Sequence, residues 1–113
     1  MYLREAIARA NEMRINTVND SIKAKWAYTV DCGVAEIMHA ERPRETFPAD
    51  RELLMPSPHD EIYVLYIAAM IDYQNGEIEL YRNDIAVFEE AMKQASAWYR
   101  RNHAAKNYGG WEI

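Results

Sequence analysis

From Ile62 to Ile71 the chain runs IYVLYIAAMI, with no polar interruption beyond two tyrosine hydroxyls. The pattern around this run predicts a helix over about residues 58–75. Ser57 suits an N-cap, Pro58 the first helical position, and Asp60 the first turn, where it opposes the helix dipole. Asn75-Gly76 supplies the stop. A surface helix of a small protein shows one apolar stripe, whereas this one is apolar all round and has to be covered on every side. The run is too short to cross a bilayer, which takes about 20 residues. A chain of 113 residues has little interior in which to enclose a helix, so another copy of the chain is the expected cover. Tyr63, Val64, Ile67, Ile71 and Tyr73 are the subunit interface expected on that argument, unless the 42–57 connection covers them.

Three further helical periods flank this one. Leu3, Ala6, Ile7, Ala10 and Met13 fall on one face of a first helix over about residues 2–13, with Glu5 and Arg9 paired one turn apart on its outer side. MRINTV breaks the period, and Asn19 is a credible N-cap for a second helix over about residues 20–41. Its apolar stripe reads Ile22, Trp26, Val30, Gly33 and Ile37, with Trp26 expected to anchor the core between the second and fourth helices. Gly33 in mid-helix predicts a close helix contact, because glycine there costs about 1 kcal/mol relative to alanine. A fourth helix over about residues 77–103 carries Ile78, Tyr81, Ile85, Phe88, Met92, Ala95 and Tyr99 at a clean period, with Asn83-Asp84 as a possible kink or restart.

All four prolines lie between residues 43 and 58, so the connection from the second to the third helix is long and Pro-rich. Leu53, Leu54 and Met55 are expected to anchor it on the bundle. After His103 comes AAKNYGGWEI, read as a flexible tail whose glycine pair stops the helix while Tyr108, Trp111 and Ile113 stay available to dock on a neighbour. The expected fold is all-α: a four-helix bundle-like domain over residues 1–103, followed by a tail over 104–113.

Composition narrows the function. The net charge of −5 argues against a protein that grips nucleic acid through its phosphates. Cys32 is the single cysteine, which excludes an intrachain disulfide and a multi-cysteine metal cage. The N-terminal stretch is charged and amphipathic without an apolar core, so no signal peptide is expected and a reducing cytoplasm is the expected place of synthesis. Eight tyrosines and three tryptophans favour protein contact surfaces, where aromatic area with a polar tip is enriched.

Candidate chemistry is sparse. Glu36 and His39 have the Glu-x-x-His spacing of di-iron bundles, but those need a second copy and two more glutamates on other helices. Cys32 has Asp31 beside it rather than an activating base. No glycine-rich phosphate loop is present, and Arg100, Arg101 and Lys106 suit a helix C-terminus better than a nucleic-acid site. No catalytic residue, metal or cofactor is expected, and the chain does not read as an enzyme.

Residues 53–103 resemble the second half of head–tail connector (adaptor) proteins of tailed phages and prophages. The resemblance is carried by Leu53, Leu54, Pro56, Pro58 and Asp60 before the apolar helix, and by Asp72, Tyr73, Asn75, Gly76 and Glu77 at its end. Trp98, Tyr99, Arg100 and Arg101 close the following helix. The first half matches more loosely; His59 stands where an aromatic is common, and the GGWEI ending also departs from the pattern. The resemblance implies an all-helical, non-enzymatic ring subunit of the virion, usually in about twelve copies, seated under the portal protein and offering a platform to a tail-proximal completion protein. Double-stranded DNA would pass through such a ring without specific binding. The acidic balance fits that role, since many copies at −5 each repel phosphates rather than trap them. The alternative from the residues alone is a small cytoplasmic helical protein that binds a partner or regulates as a homodimer.

Overall fold

The computed structural model describes the backbone of residues 1–111 and the side chains of residues 1–103. It is all-helical, with α1 at Leu3–Met13, α2 at Asp20–Met38, α3 at Glu61–Gln74 and α4 at Ile78–Trp111. The apolar helix α3 lies at the centre and packs against each of the other three. Ile62, Tyr63, Val64, Ile67, Ala68, Ala69 and Ile71 are all buried within the single chain.

That burial corrects the expectation that a second copy covers α3. Tyr63, Ile67 and Ile71 are 0% exposed and Val64 is 1% exposed, so none of the four can meet a neighbouring subunit in this fold. The 14 residues of α3 span only about 21 Å, short enough for three neighbouring helices to enclose. The Pro-rich connection adds cover through Leu53 and Met55, which are buried in the same core. Only Tyr73, at the open end of the helix, remains 54% exposed.

The buried face of α2 is Lys23, Ala24, Ala27, Val30, Asp31, Val34 and Ala35, which shares only Val30 with the stripe expected from sequence. Ile22 is 40% exposed and Trp26 is only half-buried at the edge of the core. The alanines let the backbone of α2 approach α3, and two charged residues on that face find partners. Lys23 Nζ donates to Asn11 Oδ1 at 2.7 Å, which ties α2 to α1. Gly33 faces Met92 of α4, where an added Cβ would lie 3.5 Å from Cε, an ordinary van der Waals distance.

Helix ends follow local chemistry. Beyond Gln74, the Gly76 N–H donates to the Tyr73 carbonyl and the Glu77 N–H to the Asp72 carbonyl, at 3.1 and 2.9 Å, with Gly76 at φ +75°. This paired capping pattern needs the left-handed conformation that glycine adopts without strain. At its other end α3 starts at Glu61 rather than Pro58, because the segment before it turns back with the His59 N–H on the Pro56 carbonyl. α2 ends at Met38 instead of residue 41, with His39 in the left-handed region. α4 does not restart at Asn83-Asp84, and its backbone runs on to Trp111 rather than ending at His103. The side chains of Tyr108 and Trp111, and Ile113 altogether, lie outside the described residues.

Candidate functional site

Two polar clusters and two apolar surfaces are the features from which a function could be built. The first cluster is a buried hub on Asp31, which is 0% exposed. Its Oδ1 accepts from the Tyr63 hydroxyl at 2.5 Å and from the Leu54 N–H at 3.2 Å, while Oδ2 accepts from Arg51 Nη1 at 2.6 Å. The Tyr63 hydroxyl in turn accepts from the Met55 N–H at 2.7 Å. Burial, then the charge of Asp31, push the Tyr63 phenol far above its ordinary value, so it stays protonated and can donate. A buried carboxylate is costly without partners, and here α3 and the connection supply them. The hub fastens residues 51–55 to α2 and α3. The same stretch pairs with the chain start, through Leu3 N–H on the Arg51 carbonyl and Leu53 N–H on the Met1 carbonyl, both at 2.9 Å.

The second cluster joins the end of α1 to α3 and α4. Arg14 Nε donates to Asp72 Oδ1 at 2.8 Å, and its Nη2 donates to Asp84 Oδ2 at 2.5 Å. Asp72 is 1% exposed, and its Oδ2 has no hydrogen-bond partner.

Neither cluster places a nucleophile beside a base. Cys32 is half-buried, and its polar neighbour is the Tyr28 phenol four residues earlier, which the thiol pushes up from its ordinary value. Glu36 is exposed on the last turn of α2, and His39 is its exposed C-cap. Among the described residues no three His, Cys, Asp or Glu side chains are grouped to hold a metal ion. No described helix is long and apolar enough to cross a membrane.

The apolar surfaces are at one pole of the bundle and along the free side of α4. At the pole, Asn75 Nδ2 donates to the Ile15 carbonyl at 3.0 Å, which brings the segment between α1 and α2 against the α3–α4 turn. Ile15 is 97% exposed there, and Met13, Tyr73 and Ile78 are also exposed on the elements that meet at this pole. Tyr73 stacks edge-on against Tyr81, with ring centroids 5.3 Å apart, which holds it at the rim. On α4, Leu80 and Val87 are seven residues apart and therefore on one face; Val87 heads a shallow hollow formed with Ala86, Glu90, Ala91 and Gln94. The adjoining face of α4 packs on the core through Phe88, Ala91, Met92, Ala95 and Trp98, with Ala91 at the border between the hollow and the core.

Of the residues expected at an interface, only Tyr73 reaches the surface. Ile15 and Val87 were not legible as exposed apolar positions of note: Ile15 lies in a segment that breaks the helical period, and Val87, like Leu80, lies outside the expected core stripe of α4. Several motif residues of the resemblance shape the fold, one of them against His59, which departs from the motif. His59 packs on Trp98 with ring centroids 4.9 Å apart, and Asp72, Asn75 and Gly76 build the α3–α4 turn. Compared with family models, curated proteins and solved structures, the chain matches none.

Proposed function

We propose that the chain is a structural subunit of a phage or prophage head–tail connector. It would assemble as a ring under the portal, extend the DNA channel and present a platform for tail attachment in the virion. The observation that carries this reading is the sequence pattern over residues 53–103, from Leu53-Leu54-Met55-Pro56 through Asp72-Tyr73-Gln74-Asn75-Gly76 to Trp98-Tyr99-Arg100-Arg101.

The fold supports it in a different way from the one expected on sequence. α3 is enclosed by its own chain, so assembly would use the pole around Ile15 and Tyr73 and the free side of α4 around Val87. These are two different patches, as a ring-closing contact requires, whereas a two-fold dimer pairs one patch with itself. Contacts of a portal or tail protein would fall on the exposed ends of the helices.

The test is to combine the full chain with purified portal rings from the same genome and examine the product by sedimentation and electron microscopy. A closed ring of the chain seated on the portal is the expected result. A compact two-fold dimer that ignores the portal would replace the connector reading with the regulatory homodimer.

A further inference from the structure

The cluster at Arg14, Asp72 and Asp84 holds two carboxyl groups against one guanidinium. Arg14 comes from the end of α1, Asp72 from the last turns of α3 and Asp84 from the second turn of α4. No charged group of α2 takes part among the described residues. Both carboxyls are turned toward Arg14, which uses Nε for one and Nη2 for the other. Asp72 Oδ2, buried and without a donor, is the atom left over. A buried carboxylate oxygen with nothing to accept from costs free energy, and two adjacent carboxylates repel. A single proton between the two groups removes both penalties, because the protonated carboxyl becomes a donor to the other.

We propose that Asp72 and Asp84 share one proton beside Arg14, forming a proton-dependent latch that fastens the start of α4 to α1 and α3. With the proton bound, the cluster is neutral overall and its carboxyls are joined. With the proton lost, a buried negative charge remains at the hinge of the α3–α4 hairpin and weakens it. Burial, then the neighbouring Asp84 carboxyl, raise the Asp72 carboxyl from 3.8 to about 6, against the opposing pull of Arg14. Two carboxyls that share a site titrate as a pair, so the transition belongs to the cluster. A folded-state value above the unfolded one means the stabilising contribution is complete below pH 3.8 and is lost as the pH rises through about 6.

The experiment is a carbon-detected NMR titration of the side-chain carboxyls in the full chain, together with urea melts across the same range. The Asp72 carboxyl should show its main transition near pH 6. In Asp84→Asn that transition should fall toward the ordinary carboxylate range, since an amide can donate to Oδ2 and carries no charge. Relative to Asp72→Asn, the wild-type chain should lose stability between about pH 4 and pH 6. Ordinary titration of Asp72 in the wild-type chain, or an unchanged transition in Asp84→Asn, would each overturn the shared proton. If Asp84→Asn does not fold, the wild-type titration and the Asp72→Asn melts still decide the question.

Discussion

At the scale of single residues, small and polar positions determine how α2 meets the core. Its stripe of Ile22, Trp26, Val30, Gly33 and Ile37 follows from hydrophobicity alone, but the buried face is carried by alanines with Lys23 and Asp31 among them. A sequence pattern scores Lys23 and Asp31 as solvent-facing because their partners, Asn11, Arg51 and Tyr63, come from other parts of the chain. Gly33 looks in sequence like the mark of a tight contact, yet the space beside it admits a methyl group. Gly33→Ala should therefore stabilise the protein by about 0.5–1 kcal/mol, the usual gain when a helical glycine is replaced without a clash. Urea melts of the two proteins check this, and a loss of stability would show that Met92 cannot accommodate the new atom.

At the scale of elements, the long periodic segments and the anchoring of the connection by Leu53, Leu54 and Met55 were legible, and the polar hub that holds the connection was not. Leu3, Ala6, Ile7 and Ala10 of α1 and Phe88, Met92 and Ala95 of α4 stand on the core where a period of 3.6 puts them, whereas Met13 and Ile78, expected on the same stripes, are exposed. α3 has no such stripe, so its sequence says that it is covered without saying by what. The answer lies partly in the Pro-rich connection, whose residues 51–55 are held by the Asp31 hub rather than by a regular element. Tyr63→Phe keeps the ring and removes the hydroxyl that serves both Asp31 and the Met55 N–H. It should cost about 1–3 kcal/mol, the range for leaving buried polar groups unsatisfied. Hydrogen exchange at Leu54 and Met55 should quicken in the same variant, which separates a released connection from a general loss of stability.

At the scale of the whole molecule, the large apolar residues left exposed among the described ones are divided between the pole around Ile15 and Tyr73, the surface of α4 around Leu80 and Val87, and Tyr2 and Ile22 elsewhere. α4 has 34 residues and is about 51 Å long, more than twice the length of α3, so much of its free side is not needed for the core. Val87 is 52% exposed on that side and contributes little to folding. Val87→Lys should leave the urea midpoint unchanged within about 0.5 kcal/mol, as is usual for surface substitutions. It should reduce ring formation on the portal, read by sedimentation, and normal assembly would remove the free side of α4 from the interface. The candidate site was the least legible part of the sequence. The expected interface residues are the most apolar positions, and because the chain buries those itself, isolated residues such as Ile15, Tyr73 and Val87 are the apolar ones left exposed.

The Asp31 hub also constrains the order in which the chain can reach its native state. Its partners lie on the connection and on α3, separated by 20 to 32 residues from Asp31 on α2. The Tyr63 bond cannot form until α2 and α3 already lie side by side, and the other two require a long loop to close, while the helices themselves need only local contacts. The connection is thus a clasp closed after the main barrier: it should lengthen the lifetime of the folded chain without hastening its formation. Leu53→Ala, which removes a buried anchor of the connection, should accelerate unfolding and leave refolding unchanged, a φ-value near zero. A value near one would place the connection in the folding nucleus instead.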